Sequence, residues 1–412
     1  MLINVLQSLV LVPMGILLGY LAFLSLLALV IRRRPPPPVT DLRRFAIIVP
    51  AHNEELAIGG TLKSFRALSY PRPWYSVVVI ADNCTDRTAE IARQAGAEVL
   101  ERSDGELRGK GYALRWCMDI LLARNPGYDA FIVIDADSEA APDFLDVMNR
   151  YLAAGSAVVQ CSDMVKPQPG AWSAEMTRIG FTLYNHARPL GRSILGGSAG
   201  LRGNGMCFTA ATIRAHPWDA FTRAEDLEYG LRLLLDGTRV AFAPEARVLA
   251  TMPVQSRNAE TQRARWEGGR IPLIRKYAGA LAWKAVKGGS FVHADALVDL
   301  ITPALVNMLA LTLLFAGGNL VLVAAGFSGS LTFAMLWGLA ALLGLVHLFV
   351  GLAASGADRG QYTALLHLPR YVFWKIALYA RLTRGKRESE WIRTTRESSR
   401  DGEGHAQDSA HR

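Results

Sequence analysis

Cysteine is scarce in this chain of 412 residues, and its four cysteines are not paired in sequence. Cys84, Cys117, Cys161 and Cys207 form no C-x-x-C motif, which counts against a disulfide framework or a zinc site and indicates reduced cytosolic thiols. Two nucleotide-binding signatures are also lacking. No G-x-G-x-x-G turn follows the first predicted strand, and no Lys-Ser/Thr pair follows the glycine-rich loop at 195–205. A dinucleotide-binding enzyme and a P-loop enzyme are therefore disfavoured.

Negative charge is in the minority, because 45 Lys and Arg residues outnumber 36 Asp and Glu residues and leave a net charge of +9. Such an excess could indicate a nucleic-acid partner. The basic residues, however, lie beside apolar runs or are scattered through the middle of the chain. We therefore interpret the excess as the positive-inside bias of a membrane protein, and we predict no nucleic-acid partner.

Charge is absent from residues 2–31, which are almost wholly apolar and long enough to span a bilayer. A cleaved signal peptide would carry its charge before the apolar run, whereas Arg32, Arg33 and Arg34 follow it here. The arginines predict a cytoplasmic C-terminal end for this helix and an outside N-terminus. Residues 297–325 and 331–354 are two further candidate spans. Because the spans carry almost no ionisable side chains, a transporter is disfavoured.

The apolar runs divide the chain into predicted regions. These are a transmembrane helix at 1–34, a Pro-rich linker at 35–43, a catalytic domain at 44–270, an interfacial amphipathic segment at 271–293, two transmembrane helices at 294–356, an interface helix at 357–384 and a disordered tail at 385–412. Whether residues 362–382 span the membrane or lie on it stays open. The prediction is an integral inner-membrane protein with its catalytic domain in the cytoplasm.

Strand and helix patterns alternate from residue 44 to about 127. Predicted strands at 45–49, 76–80, 98–100 and 131–134 are separated by helical segments, which is typical of an α/β domain with a mostly parallel, Rossmann-like sheet. Ligands of such sheets bind beyond the carboxyl ends of the strands. Glu54, Asp82, Asp135 and Asp137 follow three of these strands, so we expect them to share one polar site.

Asp135 and Asp137 stand two positions apart directly after a buried strand. Carboxylates suit Mg²⁺ or Mn²⁺, and a metal held there could clamp a diphosphate. Two aspartates at this spacing would also be compatible with an ordinary loop or a helix cap.

Three later segments carry further candidate residues. The glycine-rich loop at 195–205 is either flexible backbone near a ligand or a plain connection. Glu225 and Asp226 open a predicted helix, where they either complement its dipole or supply a general base, for which Asp226 is the candidate. Gln262, Arg265 and Trp266 share a helix face that could hold a sugar and a diphosphate, with a basic helix at a membrane surface as the alternative.

Taken in order, these motifs resemble those of the membrane-bound family 2 glycosyltransferases, which include the cellulose, hyaluronan and poly-N-acetylglucosamine synthases. The resemblance covers about residues 44–270 and is carried by IVPAHNEE at 48–55, ADN at 81–83, DAD at 135–137, ED at 225–226 and QRARW at 262–266. It implies a GT-A fold, inversion at the anomeric carbon, a UDP-sugar donor and Mg²⁺ or Mn²⁺. The implied acceptor is lipid-linked or a growing polysaccharide.

The resemblance also implies roles for single residues. The nucleoside pocket would be lined by Ala51, His52, Glu54 and Asp82, with Lys110 near the ribose or phosphates. Asp135 and Asp137 would meet the nucleotide and its metal, with Ala136 between them at the nucleotide. Asp226, beside Glu225, would deprotonate the acceptor, and Gln262, Arg265 and Trp266 would hold the diphosphate and the acceptor sugar.

Some features depart from the family pattern. Ala51 and His52 stand where Thr or Ser and Tyr are common, which weakens the implied preference for uracil. The polymer-extruding synthases have more membrane helices than three, so a single-addition enzyme and a processive synthase with an export or assembly partner both stay open. A catalytically inactive, nucleotide-sugar-binding scaffold is the alternative from another class. Loss of Asp137 or Asp226 would favour it, and both residues are present.

Overall fold

The computed structural model describes residues 2–124, 127–167, 172–251, 256–327 and 329–372. At positions 2, 3, 173 and 256–267 it describes the backbone alone. The predicted tail at 385–412 and the second half of the predicted interface helix lie outside the described residues.

One sheet of eight strands forms the centre of the domain, in the order β3-β2-β1-β4-β7-β6-β8-β5. The strands are β1 (Phe45–Ala51), β2 (Tyr75–Asp82), β3 (Glu98–Arg102), β4 (Ala130–Val133), β5 (Ser138–Ala140), β6 (Val158–Val165), β7 (Met206–Thr209) and β8 (Val240–Ala250). The pairs β1–β2, β1–β4, β2–β3 and β6–β8 are parallel, whereas β7 is antiparallel to β4 and β6, and β5 to β8. The predicted mostly parallel α/β sheet is confirmed, with antiparallel strands in its second half.

Helices cover both faces of this sheet because the strand residues alternate between two buried clusters. Ile47 and Val49 of β1 face one cluster with the helices at 58–66 and 144–153, and Ile48 faces the other with the helix at 110–122. The helices are α2 (Ile58–Arg66), α3 (Thr88–Gln94), α4 (Lys110–Leu122), α5 (Phe144–Ala153), α6 (Trp172–Phe181), α7 (Arg188–Ile194), α8 (Ala210–Ala215) and α9 (Glu225–Leu235). A 3₁₀ turn spans Arg72–Trp74, and a π-helical turn at Thr182–Ala187 joins α6 to α7.

The remaining helices lie at the two ends of the described chain. They are α1 (Leu2–Val30), α10 (Ser256–Lys287), α11 (Phe291–Ile301), α12 (Leu305–Ala324), α13 (Ser330–Ala354) and the short α14 (Arg359–Ala364), which a 3₁₀ turn at Leu365–His367 follows. Three stretches among the described residues are long and apolar enough to cross a membrane: Asn4–Val30, Leu305–Ala324 and Ser330–Ala354. Leu18, Met308 and Trp337 are fully buried where these helices pack together, while Leu314 and Val321 are exposed.

The structure corrects the predicted span at 297–325. The apolar run is divided between α11, which ends at Ile301, and α12, which begins at Leu305. Pro303 lies in the break. A proline interrupts a helix because it has no backbone N–H group to donate. The first part of the run therefore belongs to α11, which carries two buried carboxylates, Asp295 and Asp299.

Candidate active site

The loops that follow β1 and β2 are joined directly. The His52 Nδ1 atom donates to the Asp82 backbone oxygen at 2.7 Å, and the Asn53 side-chain oxygen accepts from the Thr85 backbone N–H at 2.7 Å. Asn53 and Asn83 have positive φ angles of 56° and 51°, a left-handed conformation that asparagine tolerates better than most residues. The predicted nucleoside-side residues Ala51, His52 and Asp82 thus lie together, although the Ala51 side chain is buried in the core.

Arg102, which the sequence analysis missed, holds Asp82 in place. Its guanidinium lies 2.7 Å from the Asp82 carboxylate and 2.8 Å from that of Asp104, and it also donates to the Leu107 backbone oxygen at 2.7 Å. The sequence could not predict this role, because Arg102 is a single arginine at the end of a short strand and its partner Asp82 is twenty residues away. The pairing fixes the carboxylate that follows β2.

Lys110 connects the loop after β4 to the glycine-rich loop. Its Nζ atom lies 2.5 Å from the Asp135 carboxylate and 2.6 Å from the Gly203 backbone oxygen. Burial alone would lower the pKa of Lys110, but the negative charges of Asp135 and Glu225 outweigh it and raise the pKa to about 12. The next residue, Gly111, has to be a glycine, because a Cβ at this position would clash with the Ala220 backbone oxygen. Lys110 is therefore held as a cation between the two loops.

Asn204 is the hydrogen-bonding centre behind the two carboxylates of the D-x-D motif. Its side-chain oxygen accepts from the Asp135 backbone N–H at 3.1 Å, and its amide donates to Ser138 Oγ and to Asp163, both at 3.0 Å. Ser138 in turn donates to Asp137 at 3.1 Å. Its neighbours Gly203 and Gly205 have φ angles of 83° and 65°, which favour glycine. The glycines make this loop recognisable in the sequence, but the role of Asn204 appears only in the fold.

Asp163, also missed, is a fully buried carboxylate behind the same motif. Its second oxygen accepts from the Asn185 amide at 3.1 Å. Burial, and then the charges of Asp135 and Asp137, raise the pKa of Asp163 well above its ordinary value. The ionised form of Asp163 is therefore disfavoured at this edge of the sheet.

The carboxylates present fit a divalent cation that arrives with a diphosphate. Within the described residues, no group of three or more His, Cys, Asp or Glu side chains is arranged to hold a metal by itself. Mg²⁺ is commonly bound by only one or two carboxylates, with water and substrate phosphates completing its shell. Asp135 and Asp137 supply that number, and Asn204 supports both of them, through the Asp135 backbone N–H and through Ser138.

Glu225 and Asp226 lie in the first turn of α9, facing the glycine-rich loop. One Asp226 carboxylate oxygen is 3.1 Å from the position that a Cβ on Gly203 would take. Burial raises the pKa of both carboxyl groups, and the charge of Asp226 helps to raise that of Glu225 to about 7. A partly buried carboxylate with a raised pKa is suited to accept a proton near neutral pH.

The other predicted site residues are only partly described. Gln262, Arg265 and Trp266 lie on α10, so the predicted helix is present, but their side chains fall outside the described residues and their roles stay predictions. Ala136 packs in the core, and its backbone oxygen accepts from Thr61 Oγ1 at 2.8 Å. The Glu54 backbone N–H donates to Thr88 Oγ1 at 2.7 Å.

Replacing Asn204 should loosen the D-x-D carboxylates without removing them. We expect Asn204→Ala to weaken Mn²⁺-dependent UDP binding by about 10- to 100-fold, the usual cost of losing an outer-shell partner. Isothermal titration calorimetry with and without Mn²⁺ would measure it. Asn149→Ala, which removes a buried asparagine bonded to the Asp41 backbone oxygen, is the matched control. Equal affinities for the two variants would contradict the role of Asn204.

Comparison with known proteins gives consistent matches over the same region. A family model described as "Glycosyltransferase like family 2" matches residues 43–269, more than half of the chain. Beta-monoglucosyldiacylglycerol synthase from Synechocystis sp. is 30% identical over 242 residues, which cover 54% of this chain and 47% of that protein. Probable glycosyltransferase YdaM from Bacillus subtilis is 26% identical over 250 residues, covering 58% and 57%. The chain is therefore matched over only about half the length of these relatives.

A solved structure shares the fold. The mannosyltransferase PcManGT from Pyrobaculum calidifontis, in complex with GDP-Man and Mn²⁺, superposes with a TM-score of 0.53 at 19% identity, covering 83% of this chain and 98% of that one. At this identity the likeness concerns the fold alone, and it confirms the expected GT-A architecture.

Proposed function

The chain belongs to the family described as glycosyltransferase like family 2, and from this membership we propose an inverting enzyme that moves one sugar from a nucleotide-sugar to a membrane lipid. The observation that carries the proposal is the position of Asp226. It is a partly buried carboxylate facing Gly203, whose backbone oxygen accepts from the same Lys110 that contacts Asp135. A candidate base and a nucleotide-side carboxylate thus lie on either side of the contact between Lys110 and Gly203.

The donor would bind along the ends of β1, β2 and β4. His52 and Asp82 would contact the nucleoside, and the resemblance favours a UDP-sugar. Asp135 and Asp137 would hold Mg²⁺ or Mn²⁺, which when bound neutralises charge on the diphosphate leaving group. Lys110 adds a cation at the same place. PcManGT, which shares the fold, is itself described in complex with a nucleotide-sugar and Mn²⁺.

Asp226 would take the proton from the acceptor hydroxyl. The freed oxygen lone pair then attacks the anomeric carbon from the face opposite the departing nucleoside diphosphate, so the configuration inverts. Its raised pKa, caused mainly by partial burial, makes the Asp226 carboxylate a stronger base than an exposed aspartate. Glu225 lies in the same helical turn, and the charges of the two carboxyl groups would influence each other.

A membrane lipid is the acceptor that the surroundings favour. Arg33, just beyond α1, donates to Ser193 Oγ at 3.0 Å and to the Phe242 backbone oxygen at 3.2 Å, which ties the catalytic domain to the end of the first apolar helix. The arginine cluster there is typical of a cytoplasmic membrane face. Buried Leu18 and Trp337 fill the space between the apolar helices, which favours an anchor over a conduit. The relative from Synechocystis is named for a diacylglycerol product.

The proposal is tested by measuring nucleotide release. The detergent-purified protein would be assayed with a panel of UDP- and GDP-sugars, with Mg²⁺ or Mn²⁺, in the presence and absence of native lipid extract. We expect release with one donor, increased by lipid. Donor binding without release under every condition would overturn the enzyme proposal in favour of a nucleotide-sugar-binding scaffold.

Glu225 should make the protein less stable as pH rises. Its folded pKa of about 7 exceeds the ordinary 4.5, so folding disfavours its ionised form, and stability is lost as pH rises from about 4.5 through 7. Glu225→Gln removes this loss, so we expect a gain of at most about 3 kcal/mol at pH 8 and much less at pH 5. Thermal unfolding at both pH values measures it, with the exposed Glu106→Gln as control. A gain independent of pH would contradict the assignment.

A further inference from the structure

A buried ion-pair network lies between α7, α11 and the glycine-rich loop. The Asp299 carboxylate is 3.2 Å from Arg188, 2.9 Å from Arg192 and 3.4 Å from Arg202. Asp295, one turn earlier on α11, is 2.8 Å from Arg192. None of these side chains is more than 6% exposed. Asp299 is therefore the shared partner of three arginines from two segments.

The network also joins α1 and α10 to the same point. The Tyr20 hydroxyl on α1 donates to Asp295 at 2.6 Å, and Arg270 on α10 donates to the Leu300 backbone oxygen at 2.9 Å. The Tyr184 ring, on the π-helical turn, packs 4.1 Å from the Arg202 guanidinium carbon and 5.7 Å from that of Arg270. An apolar helix and the helix that carries the Gln262 motif thus meet at one charged cluster.

Stability alone is a poor reason for such a cluster. Burial would raise the pKa of Asp299, but Arg192, Arg202 and Arg188 hold it far below its ordinary value, so Asp299 is ionised. Taking charges out of water costs several kcal/mol per ion, and an apolar replacement of a buried ion pair is often equally stable. The cluster does, however, fix three side chains in one geometry.

The backbone of the glycine-rich loop connects this ion-pair network to the candidate active site. Arg192 and Arg202 both donate to the Ala199 backbone oxygen, at 3.3 Å and 3.2 Å. The Arg202 backbone N–H donates to the Gln160 side chain at 2.9 Å. The next residue, Gly203, accepts from Lys110 and packs against Asp226. Asp299 and its arginines therefore hold the loop at Ala199 and Arg202, directly before the glycine that contacts Lys110 and Asp226.

We propose that Asp299 and Arg202 are positioning residues for the transfer, which set the glycine-rich loop against Asp226 and make α11 part of the active-site support. This inference rests on the proposed function. Within the described residues, Arg202 Nε and Nη1 have no hydrogen-bonding partner, so the guanidinium is held through its Nη2 atom and the Tyr184 ring. Loss of the Asp299 charge would free the guanidinium to move, and the loop with it.

Asp299→Asn, which keeps shape and removes charge, tests the inference. Two quantities are measured on the full-length protein: the fraction of molecules that bind UDP with Mn²⁺, by calorimetric stoichiometry, and sugar transfer per binding-competent molecule. We expect UDP affinity within about twofold of wild type and turnover per competent molecule about 10- to 100-fold lower, the scale of a small misplacement of reacting groups. Asp358→Asn is the matched control. It breaks another ion pair to a buried arginine, the 2.6 Å contact with Arg178.

The outcomes separate positioning from simple structural support. If turnover falls only in proportion to the UDP-binding fraction, as expected for Asp358→Asn, the inference is overturned. If Asp299→Asn loses UDP binding altogether, the same two quantities are measured for Arg202→Lys. This variant keeps the positive charge and loses the planar contact with Tyr184. Wild-type turnover per competent molecule in that variant would also overturn the inference. Absence of transfer by the wild type with every donor would instead count against the proposed function.

Discussion

Asp226→Asn is expected to lower sugar transfer by about 10²- to 10⁴-fold, the usual contribution of a positioned general base. The affinity for UDP with Mn²⁺ should stay within about twofold, because in the proposed mechanism this carboxylate, which lies beside Gly203, acts on the acceptor and not on the nucleotide. The replacement keeps the shape of the side chain and removes its negative charge together with its ability to accept the proton. Single-turnover transfer from a radiolabelled donor, beside calorimetric UDP binding, would measure both quantities.

A control in the same helix sharpens this test. Asp236→Asn changes the same charge at the C-terminal end of α9, where the side chain is mostly exposed, and should leave transfer unchanged. Retained turnover in Asp226→Asn would show that Asp226 is not the general base, and Glu225 would then be the candidate to test. Loss of UDP binding in parallel with transfer would instead place Asp226 on the nucleotide side.

Asp137→Ala is expected to abolish the effect of metal on nucleotide binding. Since Mg²⁺ and Mn²⁺ rely on few protein carboxylates, removal of one should weaken UDP affinity in Mn²⁺ by roughly 100-fold. Affinity in EDTA should change little. Titrations of UDP in both buffers would show whether the difference between them collapses, with the exposed Asp143→Ala, at the start of α5, as the control.

Two results would contradict the metal assignment. One is an unchanged Mn²⁺-dependent affinity in Asp137→Ala. The other is a wild-type affinity that is equal with Mn²⁺ and with EDTA, which would mean that Lys110 and other cations suffice for the diphosphate.

The first half of the fold could be predicted because its signals are local. Strands β1, β2 and β4 contain continuous apolar runs, and the helices between them have clear boundaries, such as Lys110–Leu122 after Gly109. The second half could not. β5 has three residues and β7 has four, and their antiparallel partners lie far along the chain, so no local pattern reveals the pairing. The break at Pro303 was hidden within an apolar run for the same reason.

The site divides in a similar way. Side chains that directly follow strands, Asp82, Asp135 and Asp137, could be placed from the sequence, because the carboxyl ends of parallel strands share an edge. Their supporting partners could not. Arg102, Asp163 and Asn204 act through hydrogen bonds to residues 20 to 69 positions away, and only the tertiary fold brings those atoms together. The same holds for Asp299, which a hydropathy pattern places in an apolar segment.

The central claim, transfer of one sugar to a membrane lipid, is tested most directly by mass spectrometry of the lipid fraction. The purified protein would be placed in vesicles of phospholipid with diacylglycerol and supplied with the donor that supports nucleotide release. We predict a new glycolipid heavier than one of the supplied lipids by one sugar residue, which is absent with Asp226→Asn. Release of nucleotide with free sugar in the water phase, or a ladder of products that carry many sugars, would contradict the account.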